Sequence, residues 1–377
     1  MFRLMHWTCD TPTMTSTNPH SSPDMVLIGA GVMGLMSALE LAAAGMSVRL
    51  FDRGHAGREA SWAGGGIISP LYPWRYQTHI TALASWSQST YPGLISHLAE
   101  STGIDPECLQ RGMLVTAMQE RAQALAWGSG MHPKVMEITA TDAKALEPHV
   151  ELTETPLWMP EIASVRNPRL GKALRFACLQ HELIDVVEQC PVELTGTAEA
   201  PVVLAQGKPI IAGQVGLTGG AWSATLCESI GIQCPVKPMK GQMLLFSSCH
   251  LVSRVVLADG RYAIPRGDGR LVFGSTLEDV GFDALPDAQA LDSLYESALA
   301  MIPALESVPL EAQWAGLRPG SPDGTPWIGA LSERLWINAG HFRNGVVLAP
   351  ASARLFADLV CARTPIIDPS PYQPREM

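Results

Sequence analysis

The sequence has no Lys/Arg block, no paired-cysteine motif and no apolar run long enough to cross a bilayer, and each absence removes a class of protein. With 26 basic against 36 acidic residues the net charge is -10. Nothing attracts a phosphate backbone or an anionic membrane at long range, so nucleic acid is not an expected partner. Eight cysteines (Cys9, Cys108, Cys178, Cys190, Cys227, Cys234, Cys249 and Cys361) are scattered without a CxxC pair. That usage fits reduced thiols packed as small hydrophobes in the cytoplasm, not a disulfide scaffold. The longest apolar stretch, Met25 to Leu39, is interrupted by Gly29, Gly31 and Gly34 and bounded by Asp24 and Glu40. It falls short of the roughly 20 residues of a membrane span, and no stable membrane anchor is expected. Metal-ligand spacing is missing, and so is a nucleophile elbow of the G-x-S-x-G type.

What is present is a globular chain of 377 residues, 47% hydrophobic, long enough for two structural domains sharing one interface. Residues 1–24 are polar and rich in Thr, Ser and Pro, without the apolar core of a secretory signal. They read as a disordered extension or an early start ahead of Met25.

Met25 to Ile28 is a short β-type run, followed by Gly29-Ala30-Gly31-Val32-Met33-Gly34 and then by good helix formers from Leu35 to Ala44. This is G-x-G-x-x-G between a strand and a helix, the setting in which it signifies a dinucleotide site. Gly29 permits the turn, Gly31 admits a pyrophosphate, Gly34 lets the helix lie on the strand, and the helix N-terminus faces the anion. Gly45 supplies a C-terminal cap. A second strand, Ser47 to Phe51, ends at Asp52, an acid placed to accept from ribose hydroxyls. The same unit serves NAD, NADP or FAD. The stretch Ala60-Ser61-Trp62-Ala63-Gly64-Gly65-Gly66-Ile67-Ile68-Ser69-Pro70 is nearly free of large side chains, as needed where backbone N–H groups must approach a flat ring, although a flexible turn has the same composition.

From about Met25 to Thr364 the sequence resembles the glycine oxidases, the thiamine-pathway branch of the D-amino acid oxidase superfamily. The dinucleotide fingerprint and the stretch ending Gly66-Ile67-Ile68-Ser69-Pro70 carry the likeness. So do Val215-Gly216-Leu217-Thr218-Gly219-Gly220-Ala221-Trp222-Ser223 and the C-terminal motifs Tyr262-Ala263-Ile264-Pro265-Arg266, Gly274-Ser275-Thr276-Leu277, Trp314 to Gly320 and Gly340 to Val346. The resemblance implies a non-covalent FAD lined by Gly29, Gly31, Val32, Met33, Gly34, Asp52, Arg53, Ala60, Ser61, Gly65, Gly66, Ile67, Val192 and Gly219. It adds the loop His341, Phe342, Arg343, Asn344, Gly345, Val346 and Val347. It also implies that Arg318 binds the substrate carboxylate, Tyr262 flanks it, Leu277 occupies a pocket position where relatives carry methionine, and Arg343 sits where flavin meets substrate. Leu277 and Gly260, two residues before Tyr262, depart from the family pattern and bear on pocket size.

The residue chemistry agrees. A guanidinium suits a carboxylate in a dry site because its planar fork makes two parallel charge-assisted hydrogen bonds, and Arg318 is followed by Pro319-Gly320 after an apolar strand-like run. With the carboxylate clamped, the α C–H is aimed and hydride transfer requires neither nucleophile nor metal. The expected reaction is oxidation of glycine and other small amines or D-amino acids, giving an imine, then a 2-oxo acid and ammonia, with oxygen as acceptor and peroxide as product. The resemblance places this before thiamine thiazole synthesis. Rivals are a flavin D-amino acid dehydrogenase with another acceptor, and a non-catalytic flavin-binding protein. His341 reads as shaping the flavin loop. Tyr72, Trp74 and Tyr76 read as plain packing, or else as a cover or a subunit contact of a homo-oligomer.

The expected fold is α/β: a Rossmann-like FAD-binding domain assembled from separate segments, 25–93, 154–232 and 314–364, plus an α+β substrate domain with an antiparallel sheet from 94–153 and 233–313. A tail covers 365–377. Substrate-domain strands are expected at Gln242 to Ser247, Val255 to Leu257 and Arg270 to Phe273.

Overall fold

A computed structural model describes residues 22–117, 119–130 and 134–375. Two large sheets organise the chain. The first has six strands, in the spatial order Trp327–Ala330, Leu335–Ala339, Gln214–Leu217, Met25–Ile28, Val48–Phe51 and Ile184–Val187. All of its pairings are parallel except the edge hairpin of Trp327–Ala330 with Leu335–Ala339. Its central strand Met25–Ile28 is apolar and buried along its whole length, as a sheet covered on both faces requires. Helices Val32–Ala43, Thr78–Thr102, Asn167–Gln180 and Gly345–Val360 pack against one another to form one covering layer and the largest core.

The second sheet has eight strands, in the order Leu310–Gly320, Lys237–Phe246, Leu271–Gly274, Arg261–Pro265, Val255–Ala258, Met113–Ala117, Leu157–Met159 and Met136–Glu137. Alternation along its strands sorts the side chains onto two faces. Met243, Tyr262, Ile264, Val272 and Leu257 join one core with Ile67, Tyr72 and Trp74. Their neighbours Leu244, Ala263, Leu271, Phe273 and Val256 join another, with Leu294 and Ala298 of helix Ala288–Met301. A three-stranded antiparallel sheet, Val192–Gly196, Pro201–Ala205 and Lys208–Ile210, flanks the first sheet.

Several sequence expectations need correction. The second sheet is antiparallel except at one junction, where Val255–Ala258 runs parallel to Met113–Ala117. Leu310–Gly320 was expected from Trp314 onward in the cofactor domain, yet it pairs with Lys237–Phe246 over its whole length and belongs to the second sheet. Leu157–Met159, expected in the cofactor domain, pairs with Met113–Ala117. Helix Thr78–Thr102 runs through the expected boundary at 93 and stays packed on the helices of the first sheet. The C-terminal stretch is anchored: Tyr372 is buried in that core and its hydroxyl donates to the His79 carbonyl at 2.6 Å. The expected N-terminal extension falls outside the described residues up to 21. Asp24 is already tied to Ser47, whose hydroxyl donates to its carboxylate at 2.7 Å.

Candidate active site between the sheets

The strands of the first sheet end on one side in the loops that make the site, the position expected for ligands of open parallel sheets. At Ile28 the chain turns through Gly29, whose φ of +110° is closed to most side chains. The Gly29 N–H donates to the Phe51 carbonyl at 2.8 Å, and Thr218 donates its hydroxyl to the Gly29 carbonyl at 2.7 Å. Helix Val32–Ala43 starts directly after Gly31. A Cβ at Gly34 would overlap the Gly29 carbonyl, whereas one at Gly31 would meet nothing closer than Ser61 Oγ at 3.3 Å. Gly34 therefore serves packing, and Gly31 leaves space open for a ligand.

Asp52 fixes this turn. Its two carboxylate oxygens accept from the Ala30 N–H and the Gly54 N–H, each at 2.8 Å. Ser61, on helix Glu59–Ala63, accepts from the Val32 N–H at 2.9 Å and so ties the glycine-rich stretch to the start of the nucleotide helix.

Two cavities adjoin here and share Gly31, Ala60, Ser61, Thr218 and Gly220 as walls. One, of about 1010 Å³, is bordered by Gly29, Asp52, Arg53, Val192, Gly219 and Trp222. The Arg53 guanidinium lies 3.7 Å from the Trp222 ring centroid, and Phe282 stacks on Trp222 at 5.4 Å. The other, of about 930 Å³, lies between the two sheets. It has Val32, Met33, Gly65, Gly66, Ile67 and Asn338 on the first side and Tyr262 and Arg318 on the second, and is closed by His341, Phe342, Arg343, Gly345, Val346 and Val347. Through the shared walls the two join into one two-part cleft, running from the dinucleotide turn to Arg318.

Arg318 stands near the end of its long strand. A Cβ on Gly241, across the ladder, would collide with its guanidinium. Nη2 donates to Ser275 Oγ at 2.8 Å and Nη1 to the Thr276 carbonyl at 3.2 Å. No carboxylate pairs with it among the described residues. Burial pushes its pKa down; Tyr262 beside it opposes that shift and the charge of Arg343 reinforces it. Arg318 is half-buried; a partly desolvated cation without a counter-charge is costly, and an anion in the cavity would relieve that cost. Tyr262 is buried in the cavity wall, its hydroxyl 3.5 Å from Met243 Sδ. Arg343 is exposed at the rim.

Three expected residues are not brought to the cavities in the expected way, the first being Gly34, which lines neither. Leu277 is 43% exposed and outside the lining. Thr276 and Glu278 both turn their polar groups onto Gln242, so the intervening side chain faces solvent. Asn344 does not line either cavity; it is buried at the start of helix Gly345–Val360, with its Nδ2 unpartnered. Gly260, the other departure, forms the turn between two strands at φ +77°, and its N–H donates to the Tyr72 hydroxyl at 2.9 Å. Tyr72 and Trp74 belong to the core beside the second sheet. His341 is buried and bonded to Ser352 Oγ at 3.0 Å; burial holds its pKa down to about 3, so it is neutral.

Two functional residues escaped sequence reasoning, and so did the backbone conformation of Phe342, a residue expected in the flavin loop. Gly241 lacked any turn signal. Arg266 is fully enclosed, and burial lowers its pKa to about 10; it donates to the Gly65 and Val165 carbonyls at 2.9 and 3.0 Å and so holds the glycine-rich loop. Phe342 adopts φ +47°, strained for a bulky side chain, which no local pattern announces.

The donor set fits FAD. An open glycine turn faces a helix N-terminus, and Asn338, in the cavity wall, keeps its buried Oδ1 without a partner. A two-part cleft under a dinucleotide turn, closed by a second sheet carrying a half-buried arginine, defines a flavin-binding oxidoreductase. The chain belongs to the FAD dependent oxidoreductase family, whose pattern matches residues 24–359.

Its cofactor is accordingly FAD. The chain is 46% identical to the glycine oxidase of Pseudomonas aeruginosa over 360 residues, covering 94% of this chain and 99% of that protein. It is likewise 46% identical to the glycine oxidase of Pseudomonas putida over 368 residues, covering 94% and 98%. The crystal structure of glycine oxidase from Geobacillus kaustophilus superposes with a TM-score of 0.88 at 28% identity, covering 94% of this chain and 99% of that one. Among the described residues no helix is long and apolar enough to cross a membrane.

Proposed function

We propose that the protein oxidises glycine and other small amines or D-amino acids, with oxygen as acceptor, yielding an imine that hydrolyses to a 2-oxo acid and ammonia, together with hydrogen peroxide. The observation that carries this reading is Arg318. Two of its donors are held by Ser275 and Thr276, and the rest of its fork of five is left for an anion at the cavity wall. A substrate carboxylate is the natural partner for such a fork.

Tyr262 would flank that carboxylate with a hydroxyl, and Arg343 at the rim would draw the anion in. Ile67, Leu71, Val346 and Val347 give the cavity apolar walls. Helix Gly345–Val360 begins at the same wall, so the positive end of its dipole favours negative charge there. Non-covalent FAD would be held by Gly31, Val32, Met33, Asp52, Arg53 and Val192 with the loop after His341; when bound it supplies the hydride acceptor. Whole-length similarity to glycine oxidases supports the substrate class, and with it a supply of imine to thiamine thiazole synthesis.

The test is to mix purified protein with glycine, sarcosine and D-alanine, following bleaching of the flavin spectrum without oxygen and peroxide formation with it. Bleaching and peroxide are expected. Bleaching alone would indicate a dehydrogenase, and no bleaching with any of the three would remove the small-amino-acid reading.

A further inference from the structure

The back of the arginine site is built from the reverse face of the strand that forms its front. Gly241 lies under the Arg318 guanidinium, so its neighbours Lys240 and Gln242 point to the other face. Both are almost wholly buried. Gln242 uses its whole amide. Nε2 donates to Glu278 Oε1 at 3.1 Å and to the Asp287 carboxylate, while Oε1 accepts from the Asp287 N–H at 3.0 Å and from Gln313 Nε2 at 3.1 Å.

The Gln242 backbone N–H donates to Thr276 Oγ1 at 2.9 Å, and the Thr276 hydroxyl in turn donates to Glu278. Lys240 Nζ completes the cluster, pairing with Asp283 at 3.0 Å and Asp287 at 3.4 Å. Only an amide suits the hub: it must donate to two carboxylates and accept from two N–H groups at once. A glutamate there would face Glu278 and Asp287 with like charge. The held segment is the one whose Ser275 hydroxyl and Thr276 carbonyl receive the two Arg318 nitrogens.

We propose that Gln242 is a positioning residue for substrate: through Thr276 and Glu278 it fixes the segment that sets the plane of the Arg318 fork. This rests on the reading that Arg318 binds a carboxylate. A bidentate contact depends on the orientation of that plane, so loosening Thr276 weakens carboxylate binding while leaving the cofactor site intact.

The holoprotein is titrated with acetate, read by perturbation of the flavin absorbance, and assayed with glycine, for wild type, Thr276→Val, Thr276→Ser and Gln242→Leu. Flavin content and melting temperature are measured beside them. Thr276→Val removes both hydrogen bonds of the hydroxyl, and the acetate Kd and glycine KM should both rise by about fivefold or more, with kcat and flavin content near wild type. Thr276→Ser should restore both. If Gln242→Leu fails to fold, Thr276→Val decides. A lowered melting temperature with unchanged Kd and KM would overturn the proposal and leave the network a purely structural one. Wild-type protein that neither binds acetate nor oxidises glycine would overturn the carboxylate reading, and the role of Gln242 with it.

Discussion

Gly241 lies directly beneath the Arg318 guanidinium, so close that a Cβ at position 241 would overlap the arginine head group. The absence of a side chain on one strand thereby sets the place of a cation on the next. Gly241→Ala should push Arg318 out of plane and raise the glycine KM by about tenfold or more, given the sensitivity of bound geometry to shifts near 1 Å. Steady-state kinetics with a parallel flavin titration checks this; FAD affinity should stay near wild type.

Replacing the cation itself should cost more. Truncating one partner of a buried charge pair costs about 2 to 5 kcal/mol, so Arg318→Met should lower kcat/KM for glycine by roughly two to three orders of magnitude. Arg318→Lys keeps the charge but loses the fork, and should fall between the two. The ratio of the two variants, measured on flavin-replete protein, separates charge from geometry.

Asp52 acts on the cofactor through the backbone it holds. Asp52→Ala removes two acceptors, for Ala30 and Gly54, and hydrogen bonds to charged groups contribute about 1.5 to 3 kcal/mol each. FAD affinity should drop by at least about tenfold in a fluorescence titration. Asp52→Asn, which keeps one acceptor oxygen, should lose less.

His341 gives a prediction about pH. In the unfolded chain it takes a proton near pH 6.5, while burial in the folded protein keeps it neutral down to about 3. Between those values the unfolded state binds the extra proton. Stability from this group is therefore complete above pH 6.5 and is lost as pH falls toward 3, at up to about 1.4 kcal/mol per pH unit. His341→Gln keeps a polar group facing Ser352 and removes the titration. Urea unfolding at about pH 5 and pH 6 should show a shallower pH dependence for the variant.

The cofactor half was legible because its constraints are local. A strand, Gly29, Gly31 and Gly34, a helix and Asp52 follow one another within a single βαβ unit, with Gly34 clearing the Gly29 carbonyl and Gly31 leaving room for a ligand. The substrate half was legible in strand positions but not in partnership. Leu310–Gly320 pairs with Lys237–Phe246, and nothing local in either strand specifies the other. For the same reason the sequence places the motif around Arg318 in the cofactor domain, whereas its strand pairs in the second sheet. Leu277 was misplaced because its direction depends on neighbours that bond to Gln242. Gly241 and Gln242 carry no motif of their own, and Arg266 ends the Tyr262 motif without a role attached to it; each gains its role only when a distant segment is folded against it.

The strand order of the parallel sheet has a consequence for how the protein is made. Met25–Ile28 sits beside Gln214–Leu217, which in turn sits beside Leu335–Ala339. Met25–Ile28 thus waits for strands synthesised much later, and the wall that closes the flavin cleft, His341 to Val347, follows later still. The glycine turn must be translated, and kept from aggregating, long before the sheet that gives it purpose can close. Such non-local pairing makes folding slow, and it makes cofactor capture a late event in the life of the nascent chain.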